Sequence, residues 1–112
     1  MDKLTFHVKF KNVLQNGEKT ETLRYNVNTV PETGTEYPVY LSNNEKIGRA
    51  RILETKFITI SRIPNYTFEG HTNYENTTDV IEHLNEYYHD KISPTDELLY
   101  IKFSFTGTED VN

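Results

Sequence analysis

Cysteine is absent from this 112-residue chain. Without a thiol there is no disulfide framework, no thiolate zinc site and no cysteine nucleophile. Long apolar runs are missing too, since nothing approaches the roughly 20 residues that a membrane helix needs. The first ten residues interleave charge with apolar side chains, where a secretory signal would hold an unbroken apolar stretch. No membrane association and a cytoplasmic location are therefore expected. Positive charge is in deficit, with a formal net charge of -5. A protein that neutralises many phosphates carries a basic surplus, so tight non-specific nucleic-acid binding is disfavoured. There is no Gly-rich phosphate loop and no GxSxG elbow. His7, His71, His83 and His89 are scattered, and the last two stand too far round a helix to chelate a metal together. Neither a metal nor a cofactor is expected.

What is present fits one domain, because domains run to roughly 100–150 residues. We expect a single unit over residues 1–112, with its core at about residues 4–105 and a frayed tail at 106–112. The charge is uneven. Lys46, Arg49, Arg51, Lys56 and Arg62 dominate the middle, and the stretch from Glu69 to Glu97 is mostly acidic. A local basic cleft is compatible with the net negative charge, as is plain solvated charge on exposed strands.

Leu4, Phe6, Val8 and Phe10 alternate with polar residues, the period of a half-buried strand. An opening strand is expected there. Phe6, Phe10, Val13 and Leu14 also fall on one helical face that Gly17 could end, so the boundary stays open. Lys19 to Asn26 reads as a second strand after the turn Gln15-Asn16-Gly17-Glu18. Asn28 to Tyr37, with Pro31 and Gly34, reads as a long loop. Pro38 to Leu41 and Ile47 to Ser61 form a hairpin. Its longer arm needs a bulge, because adjacent pairs such as Ile52-Leu53 and Phe57-Ile58 cannot share a face. Thr77 or Thr78 can cap a helix from Asp79 to Asp90, in which Val80, Ile81, Leu84, Tyr87 and Tyr88 recur at helical spacing. Leu99, Ile101, Phe103 and Phe105 give a closing strand. The pattern predicts an α+β domain: a curved, largely antiparallel sheet of about five or six strands with one main helix against it.

Chemistry concentrates after the Gly17 turn. Strand alternation puts Thr20, Thr22 and Arg24 on one face, offering hydroxyls and a cation together. Lys19 has the opposite parity and joins them only if the strand starts there and its long stem folds over the edge. His71, in the loop before the helix, can also reach a cleft.

These residues carry a resemblance. Gly17-Glu18-Lys19-Thr20-Glu21-Thr22-Leu23-Arg24 resembles the GxKTxTxR signature of ASCH domains, a branch of the PUA-like superfamily, and Gly48-Arg49-Ala50-Arg51-Ile52 resembles the later Gly-Arg element. His71-Thr72-Asn73-Tyr74-Glu75-Asn76 is similar to the segment that ends in a Glu before the main helix, and Leu98 to Phe105 to the closing strand. The resemblance spans Val8 to Phe105. It implies a PUA-like curved or closed mixed β-barrel with one main flanking helix.

One branch of that family, the small bacterial amidohydrolases of acetylated cytidine, uses a Lys, a Thr and a Glu. The resemblance then implies Lys19, Thr22 and Glu75 as catalytic residues meeting in one cleft, under a loop folded back over the start of the second strand. The Thr22 hydroxyl would attack the acetyl carbon and a desolvated Lys19 would take its proton. Glu75 would orient that amine or carry the proton to the leaving amine. Arg24, Arg49, Arg51 and His71 would bind substrate, with the three arginines on a common concave surface. Glu18, Glu21 and the long loop depart from the family pattern and leave the substrate open. Three functions follow: an amidohydrolase of a modified nucleoside, an RNA- or nucleotide-binding module working on short RNA, or a protein-interaction or inhibitory protein of phage-encoded type. A monomer is expected.

Overall fold

The computed structural model describes residues 2–107. Strand β1 (Leu4–Phe6) buries Leu4 and Phe6 and exposes Thr5. The alternation then stops. His7 Nδ1 accepts from the Lys9 amide at 3.1 Å, and the chain turns through a 3-10 helix (Val8–Phe10) into helix α1 (Lys11–Gln15). The helical face therefore wins over the strand period for this stretch, and it drives Leu14 fully into the core. Gly17, at φ +82°, ends the helix in the left-handed region that glycine enters without penalty.

Strand β2 (Glu21–Tyr25) begins two residues later than the sequence pattern suggests. Strand β3 (Glu36–Leu41) starts ahead of Pro38 and extends into the expected loop. Strand β4 (Lys46–Thr59) has the anticipated bulge: pairing with the last strand, β5 (Glu97–Gly107), passes from Ile52↔Phe103 to Glu54↔Lys102 and leaves Leu53 unpaired. The extra residue has a purpose in packing. Before it, Ala50 and Ile52 enter one core, and after it Ile58 enters another. Thr106 and Gly107 belong to β5 rather than to a frayed tail, whose remaining residues lie outside the described ones.

The sheet order is β1-β3-β4-β5-β2, with β1 parallel to β3 and every other pair antiparallel. This is the five-stranded, curled, mixed sheet that the pattern and the resemblance imply. Alternation along β5 divides the interior. Leu99, Ile101 and Phe103 pack with Leu4, Phe6 and Leu14 on one face, and Leu98 and Tyr100 pack with Ile63, Phe68, Val80 and Leu84 on the other.

Helix α2 (Thr77–Asn85) carries Val80 and Leu84 into that second core. Its cap is Asn76, whose Oδ1 accepts from the Asp79 amide at 2.9 Å, rather than Thr77 or Thr78. It also ends at Asn85, short of Asp90, and Tyr87 and Tyr88 follow in a turn bonded to the Leu84 carbonyl. Among the described residues no helix is long and apolar enough to cross a membrane.

Candidate functional site

The sheet does not close. β1 and β2 are its two free edges, and a pocket of about 140 Å³ lies where they fail to meet, roofed by α2. Thr22 and Arg24 reach it from β2 on one face, as alternation requires. Arg24 lies over the Phe6 ring, 4.7 Å from its centroid, and its Nε donates to Thr22 Oγ1 at 3.1 Å. Lys19 arrives from just before the strand. Its side chain folds along the edge, Nζ donates to the Glu21 carbonyl at 3.0 Å, and the amine lies 4.7 Å from the centre of the Phe10 ring.

Lys19 is only 7 % exposed. Burial, with the Arg24 charge nearby, pushes its amine down to about 8, and Glu21 opposes part of that fall. Burial also works against the charge on Arg24. Neither cation has a carboxylate partner among the described residues, where the ion pairs belong to Lys11, Arg49, Arg51 and Lys56. Among the described residues no carboxylate lines the pocket.

The far wall is aromatic. The loop before α2 folds back onto the start of β2, as expected. The Gly70 carbonyl accepts from the amides of Thr20 (3.1 Å) and Glu21 (3.3 Å), and the Gly70 amide donates to Glu21 Oε1 at 2.7 Å. Glu21 Oε2 accepts from the Tyr100 hydroxyl, so this buried carboxylate clamps the loop and does not face the pocket. A Cβ on Gly70 would come within 2.6 Å of the Thr20 nitrogen, so only glycine permits the contact. The clamp delivers His71, which burial and the Lys19 charge depress to about 4 and hold neutral. Beside it, the His83 ring lies 5.5 Å from Tyr74 and 5.6 Å from Tyr87. The Tyr87 hydroxyl is buried with no hydrogen-bond partner among the described residues.

Lys19, Thr22, Arg24 and His71 are thus brought together. Glu75 is not. It is exposed and absent from the pocket wall, because the preceding Tyr74 takes the inward position just before the helix cap. Arg49 and Arg51 are not on a common concave surface with Arg24. Ala50 and Ile52 occupy the inner face of β4, so alternation sends both arginines outward. There they pair with Glu36 at 3.4 and 3.1 Å, and Arg51 also donates to the Gly34 carbonyl at 3.0 Å.

Sequence reasoning missed Tyr74, His83 and Tyr87. The signal was available in part, since His83 and Tyr87 are four apart and share a helical face. Among the described residues no group of His, Asp and Glu is arranged to hold a metal ion.

No protein-family model and no curated protein matches the chain. Solved structures do. Protein EF3133 from Enterococcus faecalis, of the DUF984 family, aligns with TM-score 0.67 at 10% identity over 100% of this chain and 85% of its own. A Tyr-to-Phe mutant of ZmASCH from Zymomonas mobilis aligns with TM-score 0.69 at 11% identity, over 97% of this chain and 73% of that one. The ASCH domain from Lactobacillus crispatus gives TM-score 0.67 at 11% identity, over 95% and 81%.

Proposed function

We propose, for a chain with the ASCH-domain fold, that the pocket between β1 and β2 binds a nucleobase, carried on a modified nucleoside or at a single-stranded position of a short RNA. One observation supports this reading above the others. Two cations, the buried Lys19 and the half-buried Arg24, line the pocket without a carboxylate partner among the described residues. Desolvated cations call for an oxygen-bearing ligand, since an unpartnered buried charge is costly. The rings of Tyr74, His83 and Tyr87 offer the apolar faces on which bases stack. The volume, about 140 Å³, is below the roughly 300–1,000 Å³ of drug-sized sites and suits one heterocycle. The overall charge of -5 is no obstacle, because the phosphates need not be gripped.

The test is calorimetric titration with a panel of nucleosides and short single-stranded RNA. Arg24→Gln should weaken binding at least roughly ten-fold, the scale of one lost charged hydrogen bond. Arg51→Gln, on the outer face, should leave affinity within about two-fold. Equal losses from both would place the ligand elsewhere.

A second reading, hydrolysis of an acetamide on an exocyclic amine, is favoured by the lowered Lys19 pKa in a pocket that Thr22 also lines. Neutral Lys19 would take the Thr22 proton as the oxygen bonds to the acetyl carbon. The carbon–nitrogen bond would break with that proton passing to the leaving amine, and water would release acetate from the threonine ester. Glu75 has no part in this version. Acetate release from acetylated cytidine should rise with pH and level off above about 8, where Lys19 is neutral, and Thr22→Val should abolish it. A rate that falls through that range would remove Lys19 as the base.

A further inference from the structure

Thr22, Leu23 and Arg24 all line the pocket. Consecutive strand residues point to opposite faces, so three in a row reach a pocket only where it abuts the strand's edge. The ladder tells what that edge offers. The Phe103 amide donates to the Thr20 carbonyl at 2.9 Å, and Thr22↔Ile101 and Arg24↔Leu99 follow in the same phase. Alternation therefore turns the N–H and C=O of Glu21, Leu23 and Tyr25 away from β5. Outward partners exist for two of them. The Glu21 amide donates to the Gly70 carbonyl, the Glu21 carbonyl accepts from Lys19, and the Tyr25 amide donates to the Tyr88 hydroxyl at 3.3 Å. Leu23 lies between, and no described residue pairs with its N–H or C=O.

The opposite edge repeats the arrangement. The Phe6 carbonyl accepts from the Ser42 amide at 2.8 Å, so Phe6 and Leu4 address β3. Thr5, which lines the pocket, turns its own N–H and C=O to the free side, again without a described partner.

We propose that the pocket reads its base through these main-chain groups: the Leu23 N–H and C=O, with those of Thr5 across the gap, bind a planar heterocycle that presents adjacent N–H and C=O groups, as a lactam does. The inference rests on the nucleobase reading above. An extended peptide could offer the same groups to a sheet edge, but a pocket of about 140 Å³ under α2 has no room for a continuous strand. The side chains keep a separate task. Arg24 and, below about pH 8, the protonated Lys19 only donate, so they take an oxygen elsewhere on the ring. Methylating the lactam nitrogen preserves the ring and its stacking faces but removes the donor to a Leu23 or Thr5 carbonyl.

Two measurements on the full chain decide it. In the ligand-free protein the Leu23 amide should exchange with solvent at least roughly ten-fold faster than the ladder-paired amides of Thr22 and Arg24. In equilibrium titrations uridine and inosine should each bind roughly ten- to hundred-fold more tightly than 3-methyluridine and 1-methylinosine, the scale of one buried acceptor left unpaired. Affinities equal within two-fold for each pair, or a Leu23 amide already as protected as its neighbours, overturn the main-chain reading and leave base binding intact. Failure of every nucleoside to bind overturns both.

Discussion

Lys19 bears the largest conflict between stability and use. An amine held at about 8 instead of 10.5 costs the fold roughly 3 kcal/mol at neutral pH. Between those two values the unfolded chain holds the proton and the folded chain does not, so this residue makes stability rise as pH climbs from 8 to 10.5. Lys19→Met keeps the stem and removes the buried charge. Urea unfolding at pH 7 should find it more stable than the wild type by about 1–3 kcal/mol, while base binding is lost. A destabilised variant would mean that the bond to the Glu21 carbonyl outweighs the burial of charge. His71 acts at the other end of the scale. Its imidazole stays neutral in the fold down to about 4, whereas an unfolded histidine protonates near 6.5. Stability from this group is complete above 6.5 and declines as pH falls toward 4, and His71→Phe should flatten that slope in acid unfolding curves.

At the scale of elements, α2 is held by the buried Val80 and Leu84, the half-buried Ile81 and one cap. Leu84 is 3% exposed, so Leu84→Ala should lose on the order of 2–5 kcal/mol, as other large-to-small core changes do. A loss within measurement error would show that α2 is not anchored there. The loop clamp is more specific. Gly70→Ala forces a Cβ into Thr20 and should release His71 from the pocket, weakening ligand binding more than it shifts the unfolding midpoint. The elements differ in how plainly the sequence announces them. β4 and β5 are long and periodic, and the Ile52-Leu53 pair could only be reconciled by a bulge. The stretch after Phe6 satisfies strand and helix periods together, and what decides it is a local side-chain cap from His7, which period counting does not register. The same is true of α2, where Asn76 rather than a threonine supplies the capping oxygen.

For the whole molecule, the curled mixed sheet was legible because alternation and turn chemistry act locally. The site was legible only along β2. Thr22 and Arg24 share a face by parity, and Lys19 joins them through a bend that parity does not describe. Glu75 and the two β4 arginines failed for different physical reasons. Next to a helix cap, which of Tyr74 and Glu75 turns inward is set by packing of the aromatic ring, and on β4 the inner positions were already claimed by Ala50 and Ile52. The aromatic wall comes from α2 meeting a gap between two sheet edges, a long-range feature with no local signature. That gap, where the barrel stays open, is the proposed base-binding site. Base binding there is checked by an amide-shift map of the full chain saturated with uridine or inosine. The largest changes should fall on Thr5, Leu23, Arg24, His71 and His83. Changes confined to the Glu36, Arg49 and Arg51 face, or none at saturating ligand, would contradict it.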